Sequence, residues 1–335
     1  MKILFIFRKS EDRPSIYRNF EPMMNAMKQE HEISELFLPY GGGNPINILK
    51  NILFVKAHRI KDGVNHVTGE VHYAILGLKG VPSVLTIHDD YAMRCNRRGL
   101  LGKWFKWTFW MYLPIKMANK VVCTNPTVKK AVDKYVKNNK TQVCLHQDMT
   151  GDYPYTPKTF NKLNPRIFLM GTAPNKNLEN SLRALQGLKC DIHILKKMTE
   201  DQKVLAKQLG VEYTNRYDLT NEEVFREYNE ADIVLFPSLF EGLGMPILEG
   251  QSIGRIVITS NREPMNWVAG KKGAILVDNP EDYQQIRKAI ELAISDNSLR
   301  EECIQSGLTN VKRFSLPLII KEYTKIYSEA IKYYI

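Results

Sequence analysis

The chain has 335 residues, of which 44% are apolar and 25% charged, and it carries a formal net charge of +11. This composition excludes a disordered or fibrous chain, and the length suits two domains better than a single core. Five cysteines (Cys95, Cys123, Cys144, Cys190 and Cys303), odd in number and never in C-x-x-C spacing, argue against a disulfide framework or zinc site and for reduced thiols in a cytoplasmic setting.

The first segment, Met1 to Arg8, holds an apolar run of only five residues and reads as a β-strand rather than a signal peptide. No stretch approaches the roughly 18–20 apolar residues of a spanning helix. The basic charge is uneven. Residues 1–155 hold 23 Lys and Arg against 13 Asp and Glu, a balance of +10, and the remainder holds 24 against 23. Such a half suits an anionic membrane surface or an anionic acceptor, with nucleic acid as the competing partner.

Strand-like segments follow at Ile3–Phe7, Ile33–Leu38, Asn65–Thr68, Ser83–His88 and Lys120–Thr124. Between them lie stretches of helical period such as Phe20–Lys28, Asn47–Lys61 and Pro126–Lys137. Short apolar strands alternating with helices predict a parallel sheet with crossover helices. Three prolines and a glycine at Asp148–Pro165 predict an interdomain linker. A second alternating set has strands at Ile167–Met170, Asp191–Leu195, Ile233–Phe236, Arg255–Thr259 and Ala274–Val277. Its helices are expected at Asn177–Leu188, Glu200–Leu209, Glu222–Glu230, Met245–Ser252 and Asp282–Ser295. Leu316–Ile335 reads as an amphipathic terminal helix.

The most informative segment is Ser238-Leu239-Phe240-Glu241-Gly242-Leu243-Gly244-Met245-Pro246-Ile247-Leu248-Glu249. An apolar strand ends at Pro237, a glycine loop follows, and Pro246 suits the first turn of a helix. Loop amides aimed along a helix N-terminus can cradle a phosphate. Glu241 falls on the loop and Glu249 on the helix, with seven residues between them.

This segment resembles the E-x7-E signature of the retaining GT-B glycosyltransferases of family four. The resemblance implies an α/β fold of two Rossmann-like domains with a deep cleft. Residues 1–155, with helix 316–335 packing back on them, would take the acceptor, and residues 156–315 the nucleotide sugar. It implies Glu249 as ribose ligand, Glu241 as sugar contact, and Gly242, Leu243 and Gly244 as amide donors. It further implies attack on the face the diphosphate leaves, with a phosphate oxygen taking the acceptor proton and no protein nucleophile.

The loop Gly171-Thr172-Ala173-Pro174-Asn175-Lys176 opens the second domain, and Lys176 suits a leaving diphosphate. The family carries an Arg where Thr172 stands and a loop one residue longer, so one expected cation is missing; Lys196 or Lys197 is the candidate substitute. His88-Asp89 at a strand end resembles the family's His-Asp pair. His88 is assigned to sugar or acceptor contact, and Asp89 to the acceptor side, to orienting His88 or to capping the next helix. His66 and His72 match no common zinc spacing and are placed on a strand-end loop lining the acceptor side. There is no Asp-x-Asp, so the reaction is expected to need neither metal nor other cofactor, with Lys176 and loop amides stabilising the leaving group.

Arg94–Tyr112 interleaves six aromatic with five basic residues. It fits an interfacial helix on anionic lipid at the inner face of a membrane, and equally a core helix with a lysine-edged face. No nucleic-acid signature accompanies it, so no nucleic-acid partner is expected. The reading is a glycosyltransferase moving a sugar from a UDP- or GDP-sugar to a cell-surface polysaccharide or lipid-linked precursor. Two alternatives stay open: a nucleotide-sugar epimerase of the same architecture, and a non-catalytic polyanion or nucleic-acid binder on a degenerate transferase fold.

Overall fold

The computed structural model describes residues 1–9, 15–89, 99–145 and 153–334. The chain divides into two units, Met1–Asp148 with Leu316–Ile335, and Met149–Ser315. The division falls ahead of residue 155 for a physical reason. The Tyr153 ring packs 5.5 Å from that of Tyr228, Ser252 Oγ donates to the Tyr153 carbonyl, and buried Arg255 donates to the Thr156 carbonyl. These ties fasten residues 153–156 to the second unit; residues 148–152 of the expected linker lie outside the described residues.

The first unit runs β1 (Lys2–Phe7), α1 (Ser15–Met27), β2 (Glu32–Phe37), α2 (Pro45–His58), β3 (Gly63–Val67), a 3-10 turn at His72–Leu78, and β4 (Ser83–Ile87). It continues with α3 (Gly99–Lys106), a π-helical turn at Trp107–Tyr112, α4 (Leu113–Met117), β5 (Lys120–Cys123), α5 (Pro126–Tyr135) and β6 (Thr141–Val143). The strands form one parallel sheet in the order β2-β1-β3-β4-β5-β6. A parallel sheet has both faces covered, which is why β3, β4 and β5 are buried at every position.

The second unit runs β7 (Arg166–Met170), a 3-10 turn at Pro174–Lys176, α6 (Leu178–Leu185), β8 (Asp191–Leu195), α7 (Glu200–Gln208), β9 (Thr214–Arg216), α8 (Asn221–Glu230) and β10 (Ile233–Phe236). Then come α9 (Met245–Ile253), β11 (Ile256–Ser260), α10 (Met265–Ala269), β12 (Ile275–Val277), α11 (Tyr283–Ser295) and α12 (Asn297–Val311). Its sheet order, β12-β11-β10-β7-β8-β9, is the doubly wound arrangement, with the order reversing between β7 and β10. The last helix, α13 (Leu316–Lys332), returns to the first unit, where it packs on α1, β3, β4 and β5.

That return explains His66, and the π-helical turn explains His72. His66 is fully buried rather than on a cleft-lining loop: Nδ1 pairs with the Tyr327 hydroxyl of α13 at 2.8 Å and Nε2 with Thr86 Oγ1 at 2.8 Å. His72 is also buried, its Nδ1 donating to the Trp110 carbonyl at 2.6 Å. Both corrections have one cause. A strand interior and a 3-10 turn packed under helices leave these rings no route to solvent, so their partners are internal.

Burial pushes the His66 imidazole down from its ordinary 6.5 to about 3, helped by His88, and His72 to about 4. Both therefore stay neutral in the folded chain while the unfolded chain takes up protons. Their stabilisation is complete above pH 6.5 and is lost as pH falls toward their folded values, at up to about 1.4 kcal/mol per pH unit for each histidine. Denaturant unfolding at pH 7.5, 6 and 5 should show the decline, and His66→Gln should make it shallower by about one histidine's share. Equal slopes in the two proteins would show that His66 does not carry it.

Candidate active site

The loop after β10 is built by its neighbours. Thr259 Oγ1 donates to the Phe236 carbonyl at 2.9 Å and Ser260 Oγ to that of Ser238 at 2.6 Å, so β11 holds the strand end. The Leu239 amide donates to the Asn175 carbonyl at 2.8 Å, joining this loop to the one after β7. Gly244 precedes α9 with a φ of 102°, a left-handed conformation that favours glycine. Gly242 differs, because a Cβ added there would meet nothing within 4 Å. The fold therefore asks for glycine at 244 but not at 242, and half-buried Leu243 lies between them. The space at Gly242 lies beside the N-terminus of α9, where first-turn amides and the helix dipole favour an anion.

Lys176 and Glu241 meet at that loop, Nζ to Oε1 at 2.6 Å, with side chains only 22% and 11% exposed. Asn175 Nδ2 donates to the same Oε1 at 3.2 Å and to the Phe240 carbonyl at 3.0 Å. The ammonium also lies 4.9 Å from the centroid of the Phe236 ring. A half-buried pair of this kind needs such added partners to offset its desolvation. Gly171 makes room for the lysine, since a Cβ there would come within 2.9 Å of Lys176 Cγ. Asn177, left-handed at φ 61°, donates to the carbonyls of Pro237 at 3.0 Å and Pro280 at 2.6 Å, pinning three loops together. Thr172 has a structural use: its hydroxyl donates to the Lys197 carbonyl at 2.8 Å, and its own carbonyl accepts from Gln202. Lys196 and Lys197 are exposed beyond β8.

Glu249 sits within α9, 9% exposed, and accepts a hydrogen bond from the Tyr228 hydroxyl of α8. Burial, followed by the charge of Glu249, holds the Tyr228 pKa well above its ordinary 10, so the phenol remains a donor at any physiological pH. Glu249 forms part of the wall of a cavity of about 510 Å³ that is also lined by Tyr153, Phe225 and Met245. A carboxylate beside two aromatic rings suits a ligand that joins a flat heterocycle to vicinal hydroxyls. Tyr228, Tyr153 and Phe225 are not legible as site residues in sequence; no motif marks them, and the packing of α8 against α9, with the segment at Tyr153 fastened to both by Tyr228 and Ser252, brings them there.

Glu241, Gly242, Leu243, Gly244, Glu249, Gly171, Thr172 and Lys176 thus gather beyond the C-terminal ends of β7 and β10, where open α/β sheets bind ligands. His88 and Asp89 belong to the first unit. His88 Nε2 donates to the Thr68 carbonyl at 2.7 Å, which leaves Nδ1 as the acceptor of the neutral ring. Burial lowers its pKa, while the Thr68 carbonyl and the Asp89 charge oppose the shift. Asp89 is exposed, and the segment it was expected to cap lies outside the described residues. Among the described residues, no three His, Cys, Asp or Glu side chains gather as a metal-holding group.

Residues 158–309 match the protein family described as Glycosyl transferases group 1. Part of the chain resembles the serotype-specific mannosyltransferase WbdA of Escherichia coli, with 30% identity over 155 residues, 42% of this chain and 19% of that one. Matches to WbdA cover at most 20% of its length. Over nearly its whole length the chain resembles a glycosyltransferase from Rickettsia africae, at TM-score 0.71 and 17% identity, covering 99% of this chain and 98% of the other. It also resembles Anabaena Alr3699/HepE, solved with UDP and glucose, at TM-score 0.70 and 13% identity, covering 98% and 99%. The fold is thus the GT-B arrangement of two parallel-sheet α/β domains.

Tyr228→Phe removes one donor from a buried carboxylate and should cost about 1–3 kcal/mol of stability in denaturant titration. Unchanged stability would mean that Glu249 does not depend on the phenol.

Proposed function

We propose that this chain is a retaining glycosyltransferase that moves a sugar from a UDP- or GDP-sugar to a hydroxyl of a cell-surface polysaccharide or lipid-linked glycan precursor. The observation that carries the reading is Glu249, held by Tyr228 in the wall of an aromatic cavity one loop away from the Lys176–Glu241 pair. The match of residues 158–309 to group 1 glycosyl transferases and the likeness to a UDP-bound fold support it.

The division of labour follows from the chemistry of each group. The base lies against Tyr153 and Phe225, and the ribose hydroxyls donate to Glu249. The diphosphate occupies the space at Gly242, where Lys176 and the first-turn amides of α9 stabilise the charge that grows as the glycosidic bond breaks. In drawing Lys176 toward phosphate, the donor releases Glu241 to accept from the sugar's hydroxyls. The acceptor hydroxyl attacks from the side of the departing diphosphate, whose oxygen takes the proton. His88 and Asp89 serve the sugar and acceptor side. The reaction is metal-independent. The protein works at the cytoplasmic face of a membrane, which it touches through the stretch 94–112; of this, residues 94–98 lie outside the described residues.

UDP or GDP at saturation should raise the melting temperature by on the order of 5 °C in wild type and by much less in Glu249→Ala. Stabilisation of both proteins alike would remove Glu249 from the ribose role. Glu241→Ala should lower kcat by about a hundredfold with nucleoside diphosphate affinity kept; wild-type turnover would take Glu241 out of the site. Transfer in excess EDTA should proceed at the untreated rate, and its abolition would overturn the metal-free mechanism.

A further inference from the structure

Helix α2 is apolar on both sides. Its inner side, with Ile48, Asn51 and Val55 buried, packs against the core of the first unit. Its outer side presents Ile46, Leu49 and Leu53 at 66%, 57% and 55% exposure, spaced three and four residues apart so that they form one stripe. The helix cannot roll to hide them. Asn51 Nδ2 donates to the Tyr40 carbonyl at 2.8 Å and to the Tyr73 hydroxyl at 3.0 Å, and its Oδ1 accepts from the Tyr40 amide. A surface helix normally keeps its apolar residues on the inner side, whereas this one carries a second apolar stripe outward, edged by Lys50 and Lys56.

The stripe does not stand alone. The N-terminus of α2 borders a groove of about 610 Å³ whose other wall is α3 and the π-helical turn, with Pro45 on one side and Leu101, Trp104, Phe105 and Trp110 on the other. Leu101 is 84% and Trp104 63% exposed. The charges on the two segments that form this surface are of one sign; the nearby Glu70, whose carbonyl accepts from Trp110, is paired with Arg8. The sequence has no Asp or Glu between Glu35 and Asp62, nor between Asp90 and Asp133, and exposed Lys50, Lys56 and Lys103 flank the apolar residues.

We infer that α2 is a membrane-docking helix, whose outer stripe, together with the α3 groove, seats on an anionic lipid bilayer. Leucines and isoleucine enter the acyl boundary, the Trp104 indole lies at headgroup depth, and the lysines meet lipid phosphates. A protein partner would have to match an acid-free, lysine-edged apolar face, whereas an anionic bilayer supplies both the apolar phase and the charge. The inference rests on the peripheral contact proposed for residues 94–112, extends it to an element outside that stretch, and is independent of the donor site.

The full chain is tested by co-sedimentation with vesicles of phosphatidylcholine alone and of phosphatidylcholine mixed with phosphatidylglycerol. Wild type should bind the mixed vesicles and release in high salt. The double variant Leu49→Glu/Leu53→Glu should bind at least about tenfold more weakly. Leu163→Glu, at a leucine even more exposed but in the second unit, should bind as wild type does. All three should keep the thermal shift with nucleoside diphosphate, which shows them folded and separates failure here from failure of the transferase reading. Wild-type binding by the α2 variant, with binding lost in Leu100→Glu/Leu101→Glu, would overturn the role of α2 and leave the α3 contact standing. No preference for the mixed vesicles would overturn both. A concentration-dependent dimer that the α2 variant abolishes, without vesicle binding, would assign the stripe to a second copy of the chain.

Discussion

Both sheets are parallel, and a parallel sheet must be covered on two faces, so neither face can be spared for a ligand. The strands β3, β4, β10 and β11 are consequently buried at every position, whichever face a residue points to. Polar chemistry can then stand only where the strands run out, in the loops that feed the next helix. In the second unit those loops are not independent. Asn177 bonds two of them from a third, and Leu239 bonds the loop after β7, so the ends of β7 and β10 behave as one platform. The position of Lys176 against Glu241 follows from that platform rather than from their mutual attraction alone.

The elements most legible in the sequence were those with the strongest pattern. The apolar runs Ile3–Phe7, Ile233–Phe236 and, within Arg255–Thr259, residues 256–258 announce buried strands, and Pro237 with the glycine loop announces where β10 must stop. Two of the four edge strands are not legible: β6 and β9 are three residues long, partly exposed and poor in large apolar residues, so nothing in Thr141–Val143 or Thr214–Arg216 separates them from loop. Helix α12 was missed because its apolar periodicity is weak; Arg300 and Asn310 are buried within it and find their partners in carbonyls and in Gln251. Of the candidate site, the residues on one contiguous motif could be read, whereas Tyr228 and Tyr153 could not. Their function comes from packing between distant segments, and single-chain spacing does not encode that.

The aromatic stretch between Gly99 and Met117 shows how one segment can satisfy two opposed readings. It is helical throughout, and at its centre the Leu113 amide reaches back to the Thr108 carbonyl, one residue further than an α-helix would. That extra residue shifts the helical phase. Within that turn, Trp107, Phe109 and Trp110 lie against the core, with the two indole N–H groups donating to the carbonyls of Tyr135 and Glu70. Before it, Leu100, Leu101 and Trp104 remain exposed. Counted as composition, the stretch is ambiguous; divided at the π-helical turn, it is an exposed half joined to a buried half.

The return of α13 to the first unit bears on how the protein is made. Its tyrosines are fully buried: Tyr327 bonds His66, and Tyr323 stacks 5.6 Å from the same ring. Lys120 of β5 pairs with Glu329. On the ribosome, residues 1–148 emerge first, yet the covering for β3, β4 and β5 is encoded beyond residue 315. The second unit is a single continuous segment and can close as soon as it has been translated. The first unit therefore finishes folding after the second, and for the interval between, its sheet lacks the part of its covering that α13 supplies.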